Sequence, residues 1–451
     1  MTPTPEEPNL ALFTDLYELT MLQAYWSEEL HDEAVFSLFV RRLPERRNFL
    51  VAAGLESVLD ALERLRFEPD DIAYLRSLGH FEDGFLDWLA GFRFTGEVRA
   101  VAEGTPVFAD EPILEVRAPL PEAQLVETLV MNQVHLQTVL ATKAWRVVHA
   151  ARGRPVVDFG PRRMHGLDAA LKAARAFHIA GVSATSNVLA GKLYGVPVTG
   201  TMAHSYIQAH DDERHAFERF ARRYPGTILL IDTYDTIDGV EKVINLVREK
   251  ALDVRGVRLD SGDLGWLAKE VRARLDAGGL PHIEVFASGG LDEDAIADLL
   301  DDGAPIDGFG VGTSMGVSRD APDLDIAYKL AWYGGRGRLK LATGKPILPG
   351  PKQVFRRFEG ERAVGDVIAR AEEELDGEPL LQTVMAHGRR VDGGGDGGVD
   401  LDAARDHCAA AVARLPAAVR DLRIGGEPPY AVDISAALAA YRDDVTQAVK
   451  R

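Results

Sequence analysis

Between residues 156 and 313 the sequence repeats one physical theme: a short apolar run closing in small or polar residues, followed by an amphipathic segment. Seven such runs follow one another: Val156–Gly160, Val182–Thr185, Val196–Thr201, Ile228–Thr233, Val257–Gly262, Val285–Gly290 and Gly308–Thr313. The segments between them, such as Val240–Ala251 and Asp292–Leu300, carry apolar residues at helical spacing. Strands that alternate with helices run parallel, because the helix carries the chain back to the starting edge of the sheet. Seven units without a second Rossmann-like fingerprint predict an α/β barrel of seven or eight parallel strands, from about Arg154 to Thr313, rather than an open sheet. In such barrels chemistry sits at the C-terminal ends of the strands, and the polar clusters fall there.

The flanks follow other patterns. Asp15 and Glu18 are spaced as a capping box before Leu16, Leu19, Leu22 and Trp26 at helical spacing. A strand is expected at Ala34–Val40, and a helix over Leu50–Leu65 with Leu55, Val58, Leu59, Leu62 and Leu65 on one face. Glu97–Arg117 reads as β structure broken by Gly104, Pro106 and Pro112. Glu122–Ala151 reads as one long helix. Ala327–Tyr333, the Gly334-Gly335 turn and Arg338–Leu341 predict a hairpin; Val354–Phe358 and Gln382–Met385 predict strands, Asp392–Gly398 a flexible loop, and Leu401–Leu415 a closing helix. The expected organisation is a region 1–150, a barrel 151–325 and a C-terminal region 326–451.

Composition narrows the function. Lys+Arg number 51 against 70 Asp+Glu, a net charge of −19. That balance argues against bulk binding to nucleic acid or anionic lipid, though not against a local pocket for a small anion. One cysteine, Cys408, leaves no intrachain disulfide framework. Residues 1–10 carry no basic and apolar leader pattern, and no apolar run approaches the roughly 20 residues of a membrane span. The expected location is the cytoplasm.

The strand-end clusters hold the candidate chemistry. Ser288-Gly289-Gly290 and Gly310-Val311-Gly312-Thr313 end adjacent late strands, the usual place for a phosphate in a barrel; the bland alternative is that the glycines only turn the chain. Arg258 and Asp260, two apart on a strand, face the same way and set a cation beside a carboxylate, with Ser261 next to them. That pair suits a phosphorylated sugar, or is a structural ion pair with Asp263 capping the next helix. Phe159 with Arg162 and Arg163 offers a ring to stack on and a fork for an anion, against the alternative of a solvated surface pair. His204, just past a strand end, is a candidate acid, base or nucleophile or a structural histidine. The spacing of His204, His210 and Asp211 matches no strong metal motif.

With those residues in place the chain resembles the nicotinate phosphoribosyltransferase family from about Leu12 to Met385. The resemblance rests on Phe13-Thr14-Asp15-Leu16-Tyr17-Glu18-Leu19-Thr20-Met21, on Phe39–Pro44 with Ala53–Glu56, and on Asp158–Arg163. It continues through Gly200–Ser205, Arg258–Asp263, Ala287–Gly290 and Gly310–Ser314, and ends with Lys340, Lys345 and Pro349–Val354. It implies a type II phosphoribosyltransferase-like fold, an irregular TIM-like α/β barrel with an α/β sandwich from the N-terminal and part of the C-terminal region. The implied reaction joins nicotinate to phosphoribosyl pyrophosphate with Mg²⁺, coupled to ATP hydrolysis through a phosphohistidine at His204. Catalytic roles then fall to His204, Asp260 and Arg258. The resemblance puts Tyr17 and Phe159 around the pyridine ring, Tyr17 from the second subunit of a homodimer, and Arg162 on the carboxylate. Gly289, Gly290, Gly312 and Thr313 form the 5′-phosphate cradle, and Thr185, Ser261 and Ser288 are further substrate contacts.

Three rivals stand beside this reading. A nicotinamide enzyme on the same fold resembles a version with an acidic residue near the second strand end, where this chain has Gly181–Ser186 without a carboxylate. A quinolinate enzyme would need more basic residues and a shorter chain. A non-catalytic nucleotide sensor would not need His204, Asp260 and both glycine clusters together.

Overall fold

The computed structural model describes residues 10–341, 347–391, 400–423 and 430–450. Lys345 and the Asp392–Gly398 loop expected from the sequence lie outside the described residues, as does all of the N-terminal stretch but Leu10. The chain forms two compact units, Lys143–Pro322 and the pair Met1–Thr142 with Asp323–Arg451.

The first of these is a six-stranded, wholly parallel sheet. Its strands are β1 (Val156–Asp158), β2 (Ala184–Thr185), β3 (Thr227–Leu230), β4 (Val254–Leu259), β5 (Glu284–Ser288) and β6 (Gly308–Val311). Their spatial order is β2-β1-β6-β5-β4-β3. Chain neighbours lie side by side except at one seam, where the first strand pairs with the last: Phe309 faces Val156, Gly310 faces Val157 and Val311 faces Asp158. A first-to-last pairing is what curls a succession of βα units into a barrel rather than a doubly wound sheet. Within the described residues the curl is incomplete, with no pairing of β2 to β3. The sequence reading of seven or eight strands is therefore corrected to six. The Val196–Thr201 run makes only one parallel bridge, Thr185 to Val198. Pro197 has no N–H to donate, so the pairing is limited to Thr185 N to Pro197 O at 2.9 Å and Thr199 N to Thr185 O at 3.0 Å.

The polar tails of β2, β3, β4 and β5 also start the helices that follow them. Asn187 accepts from Ala190 N, Asp235 from Asp238 N, Asp263 from Trp266 N and Asp292 from Ala295 N, at 2.8–3.2 Å. These N-caps, worth about 1 kcal/mol each, fix where the chain leaves the sheet. They leave the remaining strand-end side chains to face the mouth.

The other unit is built on a seven-stranded sheet. In it Glu33–Val40 pairs antiparallel with Pro112–Pro119 on one side and Ile326–Tyr333 on the other. Early and late chain thus share one sheet, with Phe36 stacked on Tyr328 at 4.9 Å between ring centroids. A four-stranded sheet contains Lys352–Glu359, Arg362–Arg370 and Ala431–Ile434. Leu55, Val58, Leu59, Leu62 and Leu65 are all buried as their spacing implies, though the helix is Leu55–Arg64 and Leu50–Val51 is a short strand. The long helix is interrupted at Val126 into Leu120–Leu125 and Glu127–Ala150. The hairpin after Gly334-Gly335 returns through Arg336–Gly337, not Arg338–Leu341. The capping box does not form: Asp15 makes no side-chain cap, and its carboxylate takes the Thr128 hydroxyl instead. No described helix is long and apolar enough to cross a membrane.

Candidate active site

At the C-terminal ends of β4 and β5, three side chains interlock. Arg258 Nη1 donates to Asp260 Oδ1 and to Ser288 Oγ, both at 3.0 Å. Ser288 Oγ in turn donates to Asp260 Oδ1 at 2.5 Å. Arg258 Nη2 donates to the Met202 carbonyl at 2.7 Å. The structural features expected for this segment are both present, since Asp263 caps its helix and Arg258 pairs with Asp260. The Arg258 side chain is only 12% exposed, whereas Asp260 is 35% exposed. Burial lowers the Arg258 pKa, Asp260 and Asp232 oppose this, and the charge of Arg162 lowers it further. A desolvated guanidinium with a second cation nearby favours an incoming anion.

His204 opens the short helix His204–Gln208. Its Nδ1 lies 3.1 Å from Thr233 Oγ1, and its Nε2 lies 3.8 Å from Asp260 Oδ2. Asp232, just past β3, takes the Asp260 backbone N–H at 2.9 Å and the Ser261 hydroxyl at 2.7 Å on Oδ2. Its Oδ1 is buried without a hydrogen-bond partner. The sequence reading passed over Asp232 and Thr233, although both sit in the polar tail of the Ile228–Thr233 run, the signal used for the other strands.

Around β1, Asp158 is fully buried and holds the loop. Its Oδ1 accepts from Gly160 N at 2.8 Å, its Oδ2 from Thr185 Oγ1 at 2.7 Å, and burial raises its pKa. Thr185 therefore shapes the loop from a buried position. Phe159 lies against β6, where a Cβ on Gly310 would come within 2.4 Å of its ring. The Arg258 guanidinium carbon is 5.7 Å from that ring's centroid. Arg163 donates to Thr313 Oγ1 at 3.2 Å, and Arg162 is exposed. Arg163 thus reaches the β6 end, while the charge of Arg162 is felt at Arg258.

The glycine clusters differ from each other. Gly289 and Gly290 have φ of +91° and +69°. A Cβ on Gly289 would stand 1.8 Å from the Asp260 carbonyl oxygen, so backbone packing alone demands glycine there. Gly312 has a φ of −119°, and a Cβ there would stand 3.3 Å from the Phe159 carbonyl oxygen, a tight contact but not the overlap met at Gly289. The structure brings together Phe159, Arg162, Thr185, His204, Arg258, Asp260, Ser261, Ser288, Gly289, Gly290, Gly312 and Thr313 in the one unit. Tyr17 belongs to the other unit, in the first turn of helix Leu16–Ser27, with 47% of its surface exposed.

A parallel barrel-like sheet that gathers a cation, a carboxylate, a histidine and glycine turns at its strand ends has the chemistry to receive a phosphorylated sugar. Two family profiles match the sequence: the nicotinate phosphoribosyltransferase (NAPRTase) N-terminal domain over residues 12–135, and the nicotinate phosphoribosyltransferase (NAPRTase) family over residues 155–353. The nicotinate phosphoribosyltransferase pncB2 of Mycobacterium tuberculosis is 56% identical over 418 residues, covering 92% of this chain and 90% of that one. The nicotinate phosphoribosyltransferase of Bacillus subtilis is 41% identical over 390 residues, covering 84% and 79%. The crystal structure of human nicotinic acid phosphoribosyltransferase superposes with a TM-score of 0.84 at 28% identity, over 96% of this chain and 99% of that one. The chain belongs to the nicotinate phosphoribosyltransferase family.

Proposed function

We propose that the protein transfers the phosphoribosyl group of phosphoribosyl pyrophosphate to nicotinate, yielding nicotinate mononucleotide and pyrophosphate in the first step of NAD salvage from the free acid. The observation that carries the reading is the Arg258–Asp260–Ser288 node, with His204 Nε2 3.8 Å from Asp260 and Phe159 beside Arg258. The pyridine nitrogen attacks C1 of the ribose as the C1–O bond to pyrophosphate breaks. Positive charge builds on the ring as in glycoside transfer. Asp260, fixed by Arg258 and Ser288, stabilises that charge, and Arg258 draws the leaving pyrophosphate. Gly289, Gly290, Gly312 and Thr313 receive the 5′-phosphate, with Arg163 at its Thr313 edge.

Mg²⁺ fits this site. It is held through one or two carboxylates plus substrate phosphates, and the buried, unpartnered Oδ1 of Asp232 beside Asp260 suits that role. When bound, the ion neutralises pyrophosphate charge. ATP coupling runs through His204. With Nδ1–H donated to Thr233, Nε2 keeps its lone pair and takes the γ-phosphoryl group, releasing ADP; water later returns the histidine and frees phosphate.

The acid is favoured over the amide because Arg162 supplies a cation. Asp158, a carboxylate at the end of the same strand, has both oxygens engaged and is buried, so it is not open to an amide. A second copy of the chain supplies Tyr17 to the ring. A homodimer is supported by a set of exposed apolar side chains just past the strand ends: Leu167, Val188, Val198, Tyr234 and Trp266, 48–72% exposed. The cytoplasm, where phosphoribosyl pyrophosphate and ATP are made and used, is the compartment this chemistry suits. Pyrophosphate release measured with nicotinate, nicotinamide or quinolinate, with and without ATP, tests the reading. Turnover of nicotinate stimulated by ATP is expected; preference for another base, or none, overturns it.

A further inference from the structure

Glu18 is fully buried although it sits one residue from the exposed Tyr17. Its Oε2 accepts from the Thr14 hydroxyl, and its Oε1 lies 2.8 Å from Thr128 Oγ1 and 3.2 Å from Thr128 N. Thr128 Oγ1 is also 2.7 Å from Asp15 Oδ2. A hydroxyl carries one hydrogen. One hydrogen shared between two carboxylates makes two weakened bonds; a second hydrogen, on a carboxyl group, lets both contacts form as full hydrogen bonds. Between an exposed Asp15 and a buried Glu18, burial selects Glu18 as the neutral partner. The proton then runs as a chain, Glu18 to Thr128 Oγ1 and Thr128 to Asp15.

We infer that Glu18 is a positioning residue for Tyr17: its protonated carboxyl ties the first turn of helix Leu16–Ser27 to Thr128 and so sets where the tyrosine ring stands. This rests on the reading that Tyr17 stacks on the base. The surroundings oppose ionisation. Burial raises the Glu18 pKa to about 7, against hydrogen bonds from Thr14 and Thr128, and Glu127 adds a like charge. Asp15 and Tyr17 face it from its own segment, Glu127 from the helix Glu127–Ala150, and Tyr328 from the strand Ile326–Tyr333, whose Lys329 lies 3.7 Å from Glu127. When the proton leaves, Glu18 keeps the bonds from Thr14 and from Thr128 N–H, but two carboxylates compete for the single Thr128 hydroxyl hydrogen beside Glu127, which loosens the tie of the first helical turn to Thr128.

The test measures nicotinate KM and kcat from about pH 6 to about pH 9 at saturating phosphoribosyl pyrophosphate, in the full-length wild type, Glu18→Gln, Glu18→Ala and Tyr17→Ala. Every other titrating group is common to the wild type and Glu18→Gln, so the difference between those curves isolates Glu18. The wild-type KM is expected to rise about tenfold across the range relative to Glu18→Gln, the scale of one lost aromatic stack, with little change in the kcat ratio. Glu18→Gln, neutral at every pH and able to donate to Thr128, holds the low-pH KM. Glu18→Ala shows the raised KM throughout. If Glu18→Gln tracks the wild-type curve while Tyr17→Ala raises KM, Glu18 has no positioning role and the stacking reading stands. If Tyr17→Ala leaves KM unchanged, the stacking reading falls and the inference falls with it.

Discussion

His204 Nε2 and Asp260 Oδ2 lie 3.8 Å apart, with the other ring nitrogen of His204 3.1 Å from the Thr233 hydroxyl. The histidine therefore meets the same carboxylate that Arg258 and Ser288 hold from the other oxygen. In the proposed reaction Asp260 is the group that couples phosphoryl chemistry at His204 to charge at the ribose. Replacing His204 by Ala is expected to abolish ATP hydrolysis and phosphoenzyme formation while leaving slow, ATP-independent synthesis of nicotinate mononucleotide. Label from γ-³²P-ATP that still appears on the variant protein would exclude the histidine.

The two arginines after Phe159 separate by neighbour. Arg162→Ala should cut the nicotinate-to-nicotinamide ratio of kcat/KM about tenfold to a hundredfold, the worth of a charge-assisted hydrogen bond of roughly 1.5–3 kcal/mol. Arg163, bonded to Thr313, should instead raise the KM for phosphoribosyl pyrophosphate when changed to Ala. Steady-state kinetics with both bases decides; a collapse of the base ratio in the Arg163 variant reverses the assignment.

The glycines divide into two kinds of outcome. Gly289→Val meets the Asp260 carbonyl at 1.8 Å from a φ of +91°, and should lower stability by more than about 2 kcal/mol, seen as a fall in Tm. Gly312→Ala, whose Cβ would stand 3.3 Å from the Phe159 carbonyl oxygen at a φ of −119°, should lower Tm far less than Gly289→Val and weaken phosphoribosyl pyrophosphate binding. Calorimetric titration with the sugar phosphate reads the second effect; unchanged affinity there returns that cluster to a simple turn.

A buried ion group makes a pH prediction. Glu293 is held by Arg146 at 2.8 Å and by Lys143, which also reaches Asp320 at 2.6 Å. Burial would raise the Glu293 pKa, but Lys143 and Arg146 overcome it and bring it below the usual range. A lowered folded-state pKa means the contribution is complete above the unfolded value of about 4.3 and lost as pH falls through the folded one. Glu293→Gln should cost about 3–5 kcal/mol at neutral pH and flatten the acid limb of a pH–Tm curve. An unaltered acid limb would count against this account.

The barrel strands were legible because each buried run alternates with an amphipathic helix and ends in residues that cap it. Val196–Thr201 misled because its apolar pattern looks like a strand's while Pro197 denies it a ladder bond. In the site, Arg258, Asp260 and Ser288 were visible as strand-end chemistry. Asp232 was not singled out, since its role depends on the backbone N–H of a residue 28 positions on. The Asp15–Glu18 spacing promised a local cap, but a partner more than a hundred residues away, Thr128, takes both carboxyls. Local spacing cannot register such a competitor.

The pairing of strands Glu33–Val40 and Ile326–Tyr333 sets an order of assembly during synthesis. A ribosome must deliver the whole of Lys143–Pro322 before the earlier strand can meet its later neighbour. Domains fold as units as they emerge, and the parallel sheet is contiguous in the chain, needing only the arrival of Gly308–Val311 to close its seam with Val156–Asp158. The strand ends that carry Arg258, Asp260 and Ser288 are thus in place while the N-terminal segment still waits for its partner. A nascent chain halted just past Pro322 carries a complete parallel sheet and an antiparallel sheet that still lacks its later strands.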